Sequence, residues 1–167
     1  MKKPKKKDSK VTYIAVGVGI LIVAVTIFYY HSADQAKNRG EYFGNSLKSI
    51  QDDLKQTQME FYSKKKMLEE NSIAKEEFLK YTDTHIQNIQ DVLRRYGELV
   101  PPQSFAPSLK LFVSSTQKQL ESDQLLIEWI RTNDTSNKVR SDLLLQESFE
   151  NEIAALDSFN KAKNRSN

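Results

Sequence analysis

The 167-residue sequence has no cysteine and only two histidines, His31 and His85. The absence of cysteine excludes disulfides, thiolate nucleophiles, cysteine-ligated zinc and covalently attached haem. No acidic residue lies three or four residues before His85, and no second histidine shares its helix, so the spacing of a metal site in a helical bundle is missing. We therefore predict no metal and no cofactor.

Glycine and proline are scarce as well, with five and four residues respectively. The chain has no glycine-rich phosphate loop and no serine in a nucleophile elbow. Because only one histidine follows residue 31, a proton relay between two histidines is also excluded from the domain beyond it. These absences predict that the protein is not an enzyme.

Positive charge is concentrated in one short segment. The formal net charge is +3, but residues 1–10 carry six lysines and one aspartate, so the rest of the chain is slightly acidic. A nucleic-acid-binding domain carries its excess positive charge on the folded part, where that charge follows the phosphates. The sequence therefore predicts no nucleic-acid partner.

One long uncharged run interrupts this polar sequence, from Val11 to Tyr30. As a helix, its 20 residues would span roughly 30 Å, the thickness of a bilayer's hydrocarbon core. Tyr13 and Tyr29 stand at its two ends with Tyr30, where amphipathic rings favour the headgroup boundary. We predict a transmembrane anchor at residues 11–30.

Lysines before the run set its orientation, because positive charge is retained in the cytoplasm. We expect a cytoplasmic tail at residues 1–10 and an extracytoplasmic domain after residue 30, in a single-pass protein of the cell membrane. A cleaved signal peptide is the alternative, but residues 31–36 offer no Ala-x-Ala site. Ala15 and Gly19, four residues apart, are candidates for helix–helix contact in the membrane, although small residues are also simply frequent in such spans.

Beyond residue 45, apolar residues recur at three- and four-residue steps, which predicts helices and no strands. The predicted fold class is all-α: an N-terminal transmembrane helix, a tether at residues 31–46, an antiparallel up-down bundle of four helices at residues 47–162, and a polar tail at residues 163–167. The near-heptad spacing is typical of coiled-coil-like packing. The predicted core stripes are Leu47, Ile50, Leu54, Phe61 and Leu68; Phe78, Ile86, Ile89, Leu93 and Tyr96; Leu109, Phe112, Val113, Leu120, Ile127 and Ile130; and Val139, Leu143, Phe149, Ile153 and Leu156.

Turn residues divide these stripes. Ser72 is the expected N-cap of the second helix, and the prolines of residues 100–107 form a rigid connector before the third. Residues 133–136, Asn-Asp-Thr-Ser, both stop the third helix and cap the fourth. Residues 31–46 either continue the membrane helix or loosen into a tether, and Gly40 and Gly44 favour a bend or flexible join there.

Polar residues on the stripes are candidates for function. Asp123 interrupts the third stripe, and we expect it at the rim of the bundle, because a buried unpaired carboxylate is costly. His85 is expected at the core boundary. Phe105 and its neighbour Val100 either cap the core or contact lipid.

A second candidate surface combines Arg94 and Arg95 with four aromatic residues. One interpretation is a small-molecule pocket with aromatic walls and a cationic floor. The other is that these residues lie at the boundary with their polar tips solvated. The aromatic residues are Tyr62, Tyr81, Tyr96 and Trp129.

No motif identifies an activity, so the functional hypothesis rests on architecture. We expect a non-enzymatic membrane-anchored bundle that presents a helical surface to membrane lipid and to another envelope or membrane protein, or to a second copy of itself. The alternatives are a small-molecule sensing or capture module and an accessory subunit of a larger membrane complex. Asn133 and Asn164 stand in glycosylation acceptor patterns, which matter only if the host has the machinery.

Overall fold

The computed structural model of the chain describes residues 39–165, which form four α-helices and one short 3₁₀ turn. The helices are α1 (Arg39–Glu69), α2 (Lys75–Glu98), α3 (Ala106–Thr132) and α4 (Thr135–Arg165), and the 3₁₀ turn is Gln103–Phe105. The prediction of an all-helical bundle is therefore confirmed for the described part of the chain, which contains no strand.

The predicted anchor lies outside the described residues, and with it Val11, Tyr13, Ala15, Gly19, Tyr29 and Tyr30. None of the helices between residues 39 and 165 combines the length and apolar character that a membrane span requires. Membrane anchorage therefore stays a prediction from the sequence.

The turn between α1 and α2 depends on Asn71, which adopts a left-handed conformation with φ of 57°. Its N–H donates to Leu68 O at 3.0 Å, and the Ser72 N–H donates to Met67 O at 2.7 Å. This pair of bonds is the Schellman arrangement that ends a helix. Ser72 lies beyond the end of α1, and its N–H completes this C-terminal arrangement. It is not the N-cap of α2, because that position is occupied by Ala74.

The turn between α3 and α4 matches the prediction for residues 133–136. Asn133 is left-handed with φ of 61°, and its N–H donates to Trp129 O at 2.7 Å. The Asp134 carboxylate then accepts the Ser136 N–H at 2.9 Å, which caps the start of α4. That hydrogen bond lowers the pKa of Asp134.

Helix α1 begins earlier than the domain boundary drawn at residue 47. It runs without interruption through Gly44, so residues 39–46 are helical rather than a bent tether in this part of the chain. Phe43 is already a core residue, buried to 3% exposure. A Cβ at Gly44 would meet no atom within 4 Å, so the helix tolerates this glycine but packing does not require it.

The apolar core is divided between the two ends of the bundle. The basal cluster lies at the end of the bundle that contains the start of α1, the 3₁₀ turn and the end of α4. In this cluster the ring centroid of Phe105 is 5.6 Å from that of Phe43 and 4.9 Å from that of Phe159. The distal cluster lies near the α1–α2 and α3–α4 turns and consists of Phe61, Phe78, Leu126, Ile127 and Ile130. Polar side chains fill much of the core between them.

Helices α3 and α4 approach each other most closely, because the residues between them are small. Ser115 and Ser148 each donate a hydroxyl hydrogen bond to the other's carbonyl, both at 2.9 Å. One heptad further along α3, Ser122 donates to Ser141 O at 2.8 Å. Side chains of this size permit a short interaxial distance, and the hydroxyls find partners without water.

This packing corrects the stripe predicted for the fourth helix. Val139, Leu143 and Ile153 are 56%, 57% and 52% exposed. The buried side of α4 instead carries Ser141, Leu145, Ser148, Glu152, Ala155, Phe159 and Ala162. The prediction followed the large apolar residues, whereas close packing against α3 selects small ones.

Candidate functional site

A carboxylate at the centre of the bundle collects hydrogen bonds from three helices. Asp123, on α3, is fully buried. Its Oδ2 accepts Gln58 Nε2 from α1 at 3.0 Å and lies 2.9 Å from His85 Nε2 on α2, while its Oδ1 accepts Gln119 Nε2 at 2.9 Å. We call these four residues the Asp123 layer.

Aromatic residues enclose the Asp123 layer. Phe61, one turn beyond Gln58, stacks on the His85 ring with centroids 4.0 Å apart and planes 11° apart. Burial, reinforced by the charge of Asp123, raises the pKa of Tyr62 far above its ordinary value, against a hydrogen bond with Gln119. Aromatic walls exclude water, so the hydrogen bonds inside are electrostatically stronger than on a surface.

The His85–Asp123 pair has the geometry of a catalytic base but lacks its surroundings. A carboxylate oxygen only accepts hydrogen bonds, so the imidazole carries its proton on Nε2. His85 Nδ1 is buried and has no hydrogen-bond partner among the described residues. No hydroxyl group of that part of the chain is therefore placed for His85 to deprotonate it as a nucleophile. Both residues are inaccessible to solvent. The arrangement is suited to holding three helices in one alignment.

A second polar group lies toward the basal end and centres on Glu152 of α4. Tyr96 accepts a hydrogen bond from Gln51 Nε2 and is also bonded to Thr116. Glu152 lies close enough that its charge contributes to raising the pKa of Tyr96, after the larger effect of burial. We call Gln51, Tyr96, Thr116 and Glu152 the Glu152 layer.

Glu152 is paired less completely than Asp123. Its side chain is 3% exposed, and its Oε1 has no hydrogen-bond partner among the described residues. Burial raises the pKa of Glu152 from 4.5 to about 7, because a carboxylate leaving water without compensating donors is destabilised. This group therefore changes charge near neutral pH.

The structure does not place Asp123 and His85 where the sequence predicted. Asp123 is not at the rim and His85 is not at the boundary; both are fully buried. The cost that argued against burying Asp123 is offset by its three donors. Two of these donors, Gln58 and Gln119, were missed, and so was Glu152.

A sequence signal for these residues existed in the heptad spacing. Gln51 and Gln58 are seven residues apart on α1, and Thr116 and Asp123 are seven apart on α3. Residues at this spacing share one helix face, so polar pairs within an apolar stripe indicate buried polar layers. Glu152 has the same relation to Leu145, which is buried on α4.

The pocket proposed from arginine and aromatic residues is not assembled in the described part of the chain. Arg94 is exposed and forms ion pairs along α2 with Asp91 and Glu98. Arg95 reaches across to Asp53 of α1 at 2.5 Å. These ion pairs occupy both guanidinium groups, so no cationic floor remains.

The aromatic members of that proposed pocket are separated along the bundle. Tyr96 belongs to the Glu152 layer, and Tyr62 packs beside the Asp123 layer. Trp129 is half-buried against the distal cluster, with Lys138 Nζ 5.9 Å above its ring. Phe105 is buried in the basal cluster, whereas Val100 is 89% exposed. Of the two residues considered for lipid contact, only Val100 is accessible.

Within residues 39–165, the outer side of α4 has no packing partner. Val139, Leu143 and Ile153 lie along one side of α4, opposite its small buried residues, and each is more than half exposed. We call these three residues the outer α4 face.

Comparisons of the chain with models of known protein families, with curated proteins and with solved structures find no match. Function is therefore inferred from the chain's own residues.

Proposed function

We propose that the protein is a membrane-anchored, extracytoplasmic helical bundle with a non-enzymatic role, which binds another membrane protein or a second copy of itself through the outer α4 face. The anchor is the uncharged run at residues 11–30, and the lysines before it orient the chain. The bundle then presents a fixed surface outside the membrane.

The distribution of apolar side chains on α4 supports this proposal. The buried side of the helix carries serines and alanines beside Leu145 and Phe159, while Val139, Leu143 and Ile153 are directed outward. A helix that served only the core of its own domain would bury its large apolar side chains, since full burial of each is worth about 1.5–3 kcal/mol. A partner surface restores that stabilisation.

Charge near the outer α4 face is compatible with a helical partner. Arg140 is exposed toward one end and Glu150 toward the other, and Glu150 accepts a hydrogen bond from Gln146 of its own helix. Flanking charges of opposite sign orient a partner and exclude misaligned ones. The outer α4 face thus supplies an apolar contact surface, and the charges beside it set the orientation of the partner helix.

The alternative of small-molecule capture between the helices has less support. The Asp123 carboxylate, the strongest acceptor in the core, is already occupied by donors from three residues of the chain. A ligand would have to displace these hydrogen bonds, and each buried group left unpaired costs about 1–3 kcal/mol. An accessory-subunit role remains a form of the leading proposal, because it uses the same surface.

Lysine substitution at Leu143 tests the proposal, with Met59→Lys as the matched control. Leu143 is 57% exposed on α4 and Met59 is 53% exposed on α1, so both substitutions add equal charge at equal accessibility. Full-length protein is purified in mild detergent, and its stoichiometry is measured by light scattering and partner recovery. We expect the parent and Met59→Lys to keep one stoichiometric partner or copy, and Leu143→Lys to lose at least tenfold in affinity.

Thermal unfolding separates lost binding from lost folding. Because both sites are exposed, each variant should unfold within a few degrees of the parent. A parent protein that is monomeric and without partner, or a Leu143→Lys variant that binds as the parent does, would contradict the proposed surface.

A further inference from the structure

The two ends of the bundle differ in the chemistry of their turns. The basal connector runs from Leu99 to Leu109 without a charged residue and includes three prolines. The distal turns are charged: residues 69–77 contain five charged side chains, and residues 131–138 contain three. Three of these eleven residues, Phe105, Ser108 and Leu109, are buried in the bundle, and the other eight form an uncharged surface at this end.

Two large side chains project from the basal end. Val100 is 89% exposed and Tyr42 is 81% exposed, the highest values among the large apolar residues described. They flank a depression of about 400 Å³ that is also lined by Phe43, Leu99 and two ion-paired residues, Arg95 and Glu98. Exposed apolar and aromatic side chains are typical of a protein surface at the headgroup boundary of a membrane.

The position of the predicted anchor brings this end of the bundle to the bilayer. Residues 31–38 separate the uncharged run from the first described residue of α1. Even when fully extended, these eight residues reach only about 30 Å. Helix α1 has 31 residues and is therefore roughly 46 Å long. The basal end, where α1 begins, is thus tethered within about 30 Å of the membrane.

We propose that the basal connector rests on the lipid surface, with Val100 and Tyr42 entering the headgroup region. This inference depends on the anchor of the proposed function. The end of α4 reaches the same end of the bundle and carries Lys163 and Lys161, the latter paired with Asp157; positive charge at this position suits headgroup phosphates. The bundle therefore stands on the membrane in one orientation, with its long axis away from the bilayer.

Single-cysteine labelling tests this contact, because the parent chain has no cysteine. Full-length Val100→Cys, Tyr42→Cys and Ser72→Cys variants carry a fluorophore in phosphatidylcholine–phosphatidylglycerol vesicles with a quencher attached near the headgroup. Ser72 is the matched control, since it is exposed in the distal turn. We expect the labels at residues 100 and 42 to be quenched at least threefold more than the label at residue 72. Circular dichroism checks that all variants are folded.

A fourth label, at Ile20→Cys near the middle of the uncharged run and read in vesicles whose quencher is carried deep on the acyl chains, separates the two proposals. Quenching at residue 20 with equal, weak quenching at residues 100 and 72 would overturn the lipid contact and leave the anchor in place. No quenching at residues 20 and 100 would overturn both. Quenching at residue 100 without quenching at residue 20 would support the contact and contradict the anchor.

Discussion

The two buried carboxylates of the core are almost equally hidden from solvent but are paired very differently. Asp123 is fully buried and accepts hydrogen bonds from three side chains. Glu152 is 3% exposed and has one oxygen without a partner. The two carboxylates therefore differ in hydrogen bonding: three side chains donate to Asp123, whereas burial without enough donors raises the pKa of Glu152. The Asp123 layer holds helices together, whereas Glu152 responds to protons.

Removing the Asp123 carboxylate should lower the free energy of unfolding more than any other substitution considered for this comparison. In Asp123→Ala, the donors on Gln58, His85 and Gln119 lose their acceptor in a buried site, which costs about 3–5 kcal/mol. Urea unfolding of the full-length protein in mild detergent, followed by Trp129 fluorescence, measures the loss. Asp52→Ala is the control, because Asp52 is 44% exposed and pairs with Lys48; we expect no more than about 1 kcal/mol there. Equal stability of the two variants would refute a structural role for the Asp123 layer.

Glu152→Gln sharpens the comparison through pH. The folded-state pKa of about 7 lies above the ordinary 4.5, so the folded state holds the proton more tightly. The contribution of this proton to the free energy of unfolding is fully present below pH 4.5. It falls as the pH rises toward 7, by an amount on the order of 3 kcal/mol. The variant, neutral at every pH, should lack this decline and exceed the parent at pH 8. Parallel stability curves for parent and variant between pH 4.5 and 8 would show that Glu152 is not responsible.

The serine pairs extend the comparison to neutral groups. Ser148 lies in the close contact of α3 and α4, so Ser148→Leu should force the helices apart and cost about 1–3 kcal/mol. Ser148→Ala keeps the size but loses the hydroxyl bonds, for about 1 kcal/mol. Thermal unfolding of the two variants ranks them. If leucine were tolerated as well as alanine, the α3–α4 contact would not depend on small residues.

The smallest effect is expected at an exposed ion pair. Arg95 and Asp53 link α2 to α1, with side chains 26% and 51% exposed. Arg95→Ala should cost no more than about 1 kcal/mol, and less at high salt, because solvent screens the pair. Urea unfolding at 0.05 and 0.5 M salt tests this. A loss as large as that of Asp123→Ala would remove the distinction between buried and exposed pairing.

The helical architecture was predictable because its signals are local. Three- and four-residue spacing indicated the helices, and the Asn133–Ser136 cluster indicated a turn whose left-handed residue and cap the structure contains. The boundaries of the helices were harder to predict from the sequence. Ser72 resembles an N-cap in sequence, but whether it ends one helix or starts the next depends on backbone geometry.

The candidate site was less predictable because its contacts join distant segments. Gln58 and His85 meet Asp123 from 65 and 38 residues away, and nothing local specifies which polar side chains face each other. The buried side of α4 was misassigned for a related reason. Large apolar residues normally mark the core, but the short distance between α3 and α4 reverses that preference, and interhelical distance is a tertiary property.

Photo-crosslinking from residue 143 in intact membranes tests the proposed interaction most directly. A photoreactive amino acid replaces Leu143 in one sample and Met59 in the other, at positions 57% and 53% exposed. We predict one discrete crosslinked product from residue 143, either a dimer of the chain or a complex with one membrane protein, and no discrete product from residue 59. The absence of a product at residue 143, or the same products from both positions, would contradict the assignment of the outer α4 face as a binding surface.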